Sequence, residues 1–172
     1  MNDLKKYLAV QSQIKTGDLI EWRSSTLLGW IIRRFTPMNH TSMVVCLSQY
    51  KDITEPRRYV IEAEPQGVAP NLLSCDLLRH NGTAYWLQLK PEYDSVREYI
   101  GECAQDYIGT PYDFKSLFKN ALRRVSADAD KLFCSEMAFM CYRKAKIVFG
   151  DTAPRPGGWD KYKIHYKPKQ IL

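Results

Sequence analysis

Three short segments in the first half of the chain limit its fold more than any other feature of the sequence. They are rich in β-branched, aromatic and other apolar residues, a composition that favours strands. The segments are residues 39–47 (NHTSMVVCL), 59–64 (YVIEAE) and 83–89 (TAYWLQL). Because the polar connection between the first two is short, we expect these two strands to be antiparallel neighbours. A further strand is predicted to start after the turn at Gly17-Asp18.

The second half of the chain has helical periodicity instead. Ser95 and Glu98 have the spacing of a capping box, and the helix that they open should end at Gly109. Further helices are predicted for residues 27–35, for 114–125 and, after a polar break at 128–131, for the segment from Cys134 to Gly150. Residues 68–78 are predicted to be a mixed segment with a turn at Pro70-Asn71, and residues 162–166 a last strand. Strands followed by helices are typical of an α+β fold, in which an antiparallel sheet packs against helices.

The length of 172 residues predicts a single domain, 1–172, that is large enough to bury a core. Within it we expect an N-terminal helix in residues 1–14 and a C-terminal extension at 151–172. No apolar run approaches the roughly 20 residues that a membrane-spanning helix needs. No signal peptide is apparent at the N-terminus, so we expect a cytoplasmic protein, although action at the cell envelope is compatible with this sequence.

The charge of the chain is basic, with a formal net charge of +6 and a pI near 9.0. The basic residues are dispersed along the sequence, which is typical of a solvated surface and compatible with weak contact to an anionic cell-wall or membrane surface. No nucleic-acid-binding motif is present, so no nucleic-acid partner is expected. We expect the protein to be a monomer.

The cysteines and histidines indicate neither a disulfide framework nor a metal centre. The five cysteines are odd in number and include no Cys-x-x-Cys pair, and the three histidines are dispersed. We therefore expect free thiols in a reducing compartment, with no metal and no organic cofactor.

Cys134 is the strongest candidate for a chemically active residue. It stands before a stripe of small residues at helical spacing, Ala138, Cys141 and Ala145, which would let a helix that begins at Cys134 lie close to a sheet. A helix N-terminus favours the thiolate over the thiol. The alternative is a buried structural cysteine, which is common in protein cores.

A catalytic cysteine needs a base and a group that orients the base. His40 is the best candidate base because it lies at the mouth of a predicted strand, whereas His80 and His165 are predicted to be solvated. Glu62 and Glu64 share one face of the next strand. We favour Glu62 as the orienting group because it lies within the apolar run, and Glu64 stays the alternative.

Five fragments, in this order along the chain, resemble one known family. They are Gly17-Asp18-Leu19-Ile20, His40 at a strand start, Val60-Ile61-Glu62-Ala63, Gly109-Thr110-Pro111-Tyr112-Asp113 and Phe133-Cys134-Ser135-Glu136. Together they are similar to the YiiX-type branch of the permuted NlpC-like, papain-fold cysteine hydrolases. The cysteine follows the histidine here, as expected when a papain-like chain is re-cut while its spatial triad survives.

The resemblance implies a circularly permuted papain-like (NlpC-like) fold with a helix that starts at the catalytic cysteine. It implies Cys134 as nucleophile, His40 as general base and Glu62 as the orienting group. Tyr112 would line the substrate pocket. Ser135 is a candidate substrate contact, although it could simply cap the helix. One departure is visible: family members often have a glycine soon after the histidine, where this chain has Thr41-Ser42-Met43.

The function implied is a cysteine peptidase or amidase that cleaves an amide bond through an acyl-enzyme, with backbone N–H groups at the start of the cysteine helix forming the oxyanion site. The expected substrate is peptide-like, such as a cell-wall peptide, or an acyl-lipid. Two alternatives stay open. One is a lipid-acting acyltransferase or thioesterase with the same triad, and the other is a non-catalytic binding domain of the same fold.

Overall fold

The structure is a computed structural model, which describes residues 3–26, 37–47, 56–64, 67–110 and 129–172. Within these ranges it describes every side chain except those of residues 63–64 and 129–134. The helices predicted for 27–35 and 114–125 lie outside the described residues.

In the described part of the chain, six strands form one antiparallel sheet in the order β4-β3-β2-β1-β5-β6. Their bounds are β1 Leu19–Ser24, β2 His40–Leu47, β3 Arg57–Glu64, β4 Gly67–Leu72, β5 Gly82–Leu87 and β6 Lys169–Gln170. The predicted strands at 39–47, 59–64 and 83–89 are therefore confirmed as β2, β3 and β5, and β2 and β3 are antiparallel neighbours.

Helices cover both faces of this sheet. The α-helices are α1 Lys5–Leu8, α2 Leu73–Arg79, α3 Arg97–Gln105 and α4 Ala129–Lys144, and short 3-10 helices occur at Gln11–Gln13, Pro91–Val96 and Trp159–Tyr162. None of the helices in the described ranges is long and apolar enough to cross a bilayer.

Alternation along the strands assigns the core residues to two clusters. Leu19, Met43 and Ile61 belong to the cluster that includes residues of α3 and α4, and we call this side of the sheet the helix face. Their neighbours Ile20, Val44 and Val60 belong to the other cluster, with Tyr7 from α1 and Leu73 and Leu77 from α2. We call that side the back face. The parity of a residue in β1, β2 or β3 therefore decides which face its side chain occupies.

The N-terminal and C-terminal segments differ from the prediction. Residues 1–14 do not form one helix, because α1 ends at Leu8 and a separate 3-10 turn follows. The expected strand at 162–166 is likewise wrong: β6 lies at Lys169–Gln170, and His165 makes only an isolated bridge to Leu89. Pairing with β5 decides where the last strand forms, and no local pattern encodes it.

Residues 68–78 form β4 and then α2, where the sequence predicted a mixed segment with a turn at Pro70-Asn71. Pro70 is tolerated because β4 is an edge strand. The prediction of a capping box at Ser95 and Glu98 is also wrong. Helix α3 follows directly from a 3-10 turn, and no side chain caps it at Val96.

The cysteine helix begins before the cysteine, which corrects the prediction. Helix α4 starts at Ala129, so Cys134 is its sixth residue, and it ends at Lys144 rather than at Gly150. Residues 129–133 include the good helix formers Ala129 and Leu132 and an acid, Asp130, that suits a helix start. The N–H groups without intrahelical partners are the first four of a helix. The expected oxyanion donors therefore do not coincide with Cys134.

Asp18 is the polar centre that ties the turn before β1 to the rest of the domain. Its fully buried carboxylate accepts hydrogen bonds from Arg97 Nη1 (2.8 Å), Trp86 Nε1 (2.8 Å) and the Leu89 N–H (3.0 Å). Arg97 also donates to the carbonyls of Thr16 and Leu89. Buried charges are tolerated in this form because each is paired and hydrogen-bonded.

We predict that Asp18→Ala lowers the free energy of unfolding by about 3–5 kcal/mol, because it removes the buried partner of Arg97 and leaves only the partly exposed Asp94 (2.6 Å) to compensate its charge. Urea denaturation at neutral pH measures this. The control is Asp151→Ala, which removes the exposed partner of Arg143 (3.4 Å) and should change stability little. Equal costs for the two substitutions would contradict the assignment of Asp18 as a structural centre.

Candidate active site

His40 is the first residue of β2 and lies on the back face of the sheet. Its ring stacks on the indole of Trp22, its paired residue on β1, with ring centroids 5.6 Å apart and ring planes inclined by 16°. Asn39 fixes the entry of the chain into β2, because its N–H donates to the Trp22 carbonyl (2.7 Å) and its Oδ1 accepts the Ser24 N–H (2.6 Å). The His40 side chain is 34% exposed, so the imidazole is accessible from solvent.

Glu62 reaches His40 from the neighbouring strand β3. Its Oε1 lies 3.5 Å from His40 Nε2, and the carboxylate is only 13% exposed. This distance is longer than the 2.7–2.9 Å typical of a charge-assisted hydrogen bond, as is common for catalytic pairs without substrate. The contact occupies Nε2 and leaves Nδ1 of His40 for a second partner.

The neighbours of Glu62 stabilise its negative charge. Burial alone would raise the pKa of this carboxyl, but hydrogen bonding and charge from His40, with hydrogen bonds from Ser42 and Asn71, outweigh burial and hold its pKa below the usual value. Ser42 on β2 donates its hydroxyl proton to Glu62 Oε1 and accepts the indole N–H of Trp22. Glu62 is therefore an ionised acceptor facing an imidazole at neutral pH.

Helix α4 packs on the other face of the same strands. The hydroxyls of Ser135 and Thr41 are hydrogen-bonded (3.1 Å), and both residues are fully buried. Ser135 follows Cys134 in the sequence and Thr41 follows His40, so this bond joins the residues next to the two. It also favours a packing role for Ser135 over the predicted substrate contact.

Three of the predicted sites cannot be placed in full. Tyr112 lies outside the described residues, and the side chains of Cys134 and Glu64 lie outside the described side chains. The structure thus brings together His40 and Glu62, and it puts the helix that carries Cys134 over the strand of His40. Since Thr41 faces α4, the His40 ring and Ser135 lie on opposite sides of β2.

The two other histidines are partly buried, whereas the sequence predicted that both are solvated. His80 packs against Trp22 with centroids 4.9 Å apart, and burial lowers its pKa. His165 packs against Tyr142 and Trp159, with Nε2 3.0 Å from the Tyr142 hydroxyl, and burial lowers its pKa to about 3. The lysines that surround His165 in the sequence suggested exposure, but its bridge to Leu89 turns it inward.

Two buried carboxyls on the helix-facing side were not predicted as features of the site. Glu136 is the eighth residue of α4, and burial raises the pKa of its carboxyl. Glu21 pairs with Thr41 across the sheet and accepts the Gly157 N–H (2.6 Å). Burial raises the pKa of Glu21 to about 7. Side chains alternate along a strand, so Glu21 shares the face of Leu19, and this alternation could have indicated that Glu21 is buried.

Metal binding finds no support in this part of the molecule. Across the described ranges, no group of three or more His, Cys, Asp or Glu residues is arranged to hold a metal ion. The described cysteines, Cys46, Cys75, Cys103 and Cys141, are free thiols.

We predict that Glu21 makes the protein less stable as the pH rises. The pKa of its carboxyl is about 7 in the folded state against 4.5 for the unfolded reference, so its stabilising contribution is complete below pH 4.5 and is lost as the pH rises through 7. A shift of this size corresponds to about 3 kcal/mol. Glu21→Gln should abolish this loss, measured as the free energy of unfolding in urea from pH 4.5 to 8. A difference between variant and wild type that does not grow with pH would contradict the prediction.

Comparison with known proteins shows the family and the fold of this chain. A family model described as a permuted papain-like amidase enzyme (YaeF/YiiX, C92 family) matches residues 13–153. Among solved structures, the chain is similar to YiiX from Escherichia coli O157:H7, which is described as a metalloprotein. The TM-score is 0.54 at 25% identity, covering 77% of this chain and 67% of that one. No curated protein matches. The chain belongs to the permuted papain-like amidase family of YaeF and YiiX, and its helices and antiparallel sheet form the permuted papain-like fold.

Proposed function

We propose that this protein is a cysteine hydrolase that cleaves an amide bond with Cys134 as nucleophile, His40 as general base and Glu62 as the group that orients His40. The observation that carries the proposal is the contact of His40 Nε2 with the buried, ionised Glu62 at the start of β2. Membership in a family of papain-like amidases supports the same reaction class.

The His40–Glu62 contact sets the direction of proton transfer. A carboxylate can only accept, so neutral His40 carries its proton on Nε2 and presents Nδ1 as the base. Nδ1 removes the thiol proton of Cys134 as the sulfur attacks the carbonyl carbon, and the same proton then passes to the departing amine. Water, deprotonated by Nδ1, hydrolyses the resulting thioester and restores the thiol.

The strand parity constrains how the nucleophile reaches the base. Thr41 contacts α4 on the helix face, whereas the His40 ring stacks on Trp22 on the back face. The sulfur of Cys134 would therefore meet the imidazole around the N-terminal end of β2. His40 is the terminal residue of this strand and is partly exposed, which suits an approach of this kind and leaves room for substrate.

The substrate we propose is a peptide-like amide, such as a cell-wall peptide. The net charge of +6 would favour association with anionic polymers of the cell surface.

We predict that Cys134 reacts with iodoacetamide faster than the half-buried thiol of Cys75, because His40, as the proposed base, would favour the thiolate of Cys134. Site-resolved mass spectrometry of the native protein measures the two rates separately. Labelling of Cys134 at or below the rate of Cys75 would remove the nucleophile assignment.

We further predict that His40→Ala slows the alkylation of Cys134 about 100-fold, within the range for loss of a general base. His80→Ala is the matched control, because both imidazoles pack against Trp22 whereas the 3.5 Å contact with Glu62 is made by His40. It should change the rate less than 3-fold. Equal slowing by the two substitutions would show that His40 acts through packing alone.

The reaction itself is tested with peptidoglycan-derived peptides and acyl-lipids, each with and without an added amine acceptor. Amide cleavage that requires Cys134 is the expected result. Acyl transfer to the acceptor in preference to water would instead identify a transferase that uses the same triad. No turnover of either substrate class, with slow labelling of Cys134, would favour a binding domain.

A further inference from the structure

We propose that Ser42 and Trp22 are positioning residues that hold Glu62 against His40, through a hydrogen-bond relay from the indole to the hydroxyl to the carboxylate. All the side chains of this relay are among those that the structure describes, and its role in catalysis rests on the function proposed above. Neither residue would touch the substrate.

The direction of the relay follows from the chemistry of its members. The indole Nε1 of Trp22 can only donate, so the Ser42 hydroxyl, at 2.6 Å, must accept from it. A hydroxyl has one proton, and that proton is then available to Glu62 Oε1, the other partner of Ser42. Trp22 therefore orients the Ser42 hydroxyl toward the carboxylate.

The relay ends on the oxygen that faces the base. Oε1 of Glu62 accepts from Ser42 and is also the atom 3.5 Å from His40 Nε2. Because Ser42 and His40 project from the same face of β2, two residues apart, a bond to Ser42 limits rotation of the carboxylate away from the imidazole.

Trp22 also controls the imidazole directly. It is 1% exposed, and its ring is nearly parallel to that of His40, at 16°, so it restricts the plane in which the imidazole can lie. His80 packs against the same indole at a 58° tilt. One buried aromatic residue thus sets both the ring plane of His40 and, through Ser42, the position of the carboxylate.

A different explanation is that Ser42 only satisfies a buried indole N–H, since such groups are costly to leave unpaired. Both explanations predict that Ser42→Ala destabilises the fold. Only the positioning role predicts that the tautomer of His40 changes in protein that is still folded.

The experiment measures the ¹⁵N shifts of the His40 ring in Cys134→Ala protein, so that it requires no activity. With Ser42 intact, neutral His40 should be almost entirely the Nε2–H tautomer. Ser42→Ala should give a mixture of tautomers and raise the pKa of Glu62, measured from its ¹³C carboxyl shift. Ser42→Thr, which retains the hydroxyl, should restore both signals.

Thr41→Val is the matched control, because it removes a hydroxyl hydrogen bond from the adjacent position of β2 but on the opposite face. It should leave the His40 tautomer unchanged. Trp22→Phe removes the first donor of the relay and should shift the tautomer in the same direction as Ser42→Ala. It therefore tests the relay even if Ser42→Ala does not fold.

An unchanged tautomer in folded Ser42→Ala or Trp22→Phe protein would overturn the inference, whatever the chemistry of Cys134. In protein with Cys134 intact, Ser42→Ala should slow alkylation of Cys134 about 10-fold and Ser42→Thr less than 3-fold. If the tautomer responds to Ser42 while alkylation does not respond to His40, the relay stands and the proposed function fails.

Discussion

The contact between Glu62 and His40 is the interaction on which the rest of the site depends. A carboxylate within a sheet is costly unless its charge is compensated, and here hydrogen bonds from His40, Ser42 and Asn71 compensate it. The register of β2 and β3 brings these groups together, with Met43 opposite Ile61 and the polar pair Ser42 and Glu62 one step further. The fold thereby places an ionised acceptor beside an imidazole at the exposed end of a strand.

The two faces of the sheet hold different parts of the site. The helix face holds α3 and α4, and the Ser135–Thr41 bond fixes α4 against β2. The back face holds the imidazole, the carboxylate and the indole that orders them. If Cys134 and His40 react together, they have to meet at the N-terminal end of β2, because the body of the sheet separates the two faces. The first position of β2 gives His40 this location, which no interior strand position would provide.

The strands that bring His40 and Glu62 together could be predicted because they depend on local periodicity. β-Branched runs marked β2 and β3, and alternation put Glu62 on a face from which it could reach His40. The parts that failed depend on distant contacts. His165 is turned inward by its bridge to Leu89, and the polar segment before Cys134 contributes the first turn of α4 instead of a break. Glu21 was passed over because an acid in a short strand resembles a solvated one until Gly157, far along the chain, covers it.

The proposed reaction requires that the sulfur of Cys134, late in the chain, reaches the imidazole of His40, in its first third, around the N-terminal end of β2. A crystal structure of the protein alkylated at Cys134 by a peptide-like chloromethyl ketone tests it most directly, because the adduct fixes the sulfur in its reacting position. We expect the sulfur beside Nδ1 of His40, with Nε2 still facing Glu62. A sulfur enclosed between α4 and the helix face, with the sheet between it and the imidazole, would contradict the claim.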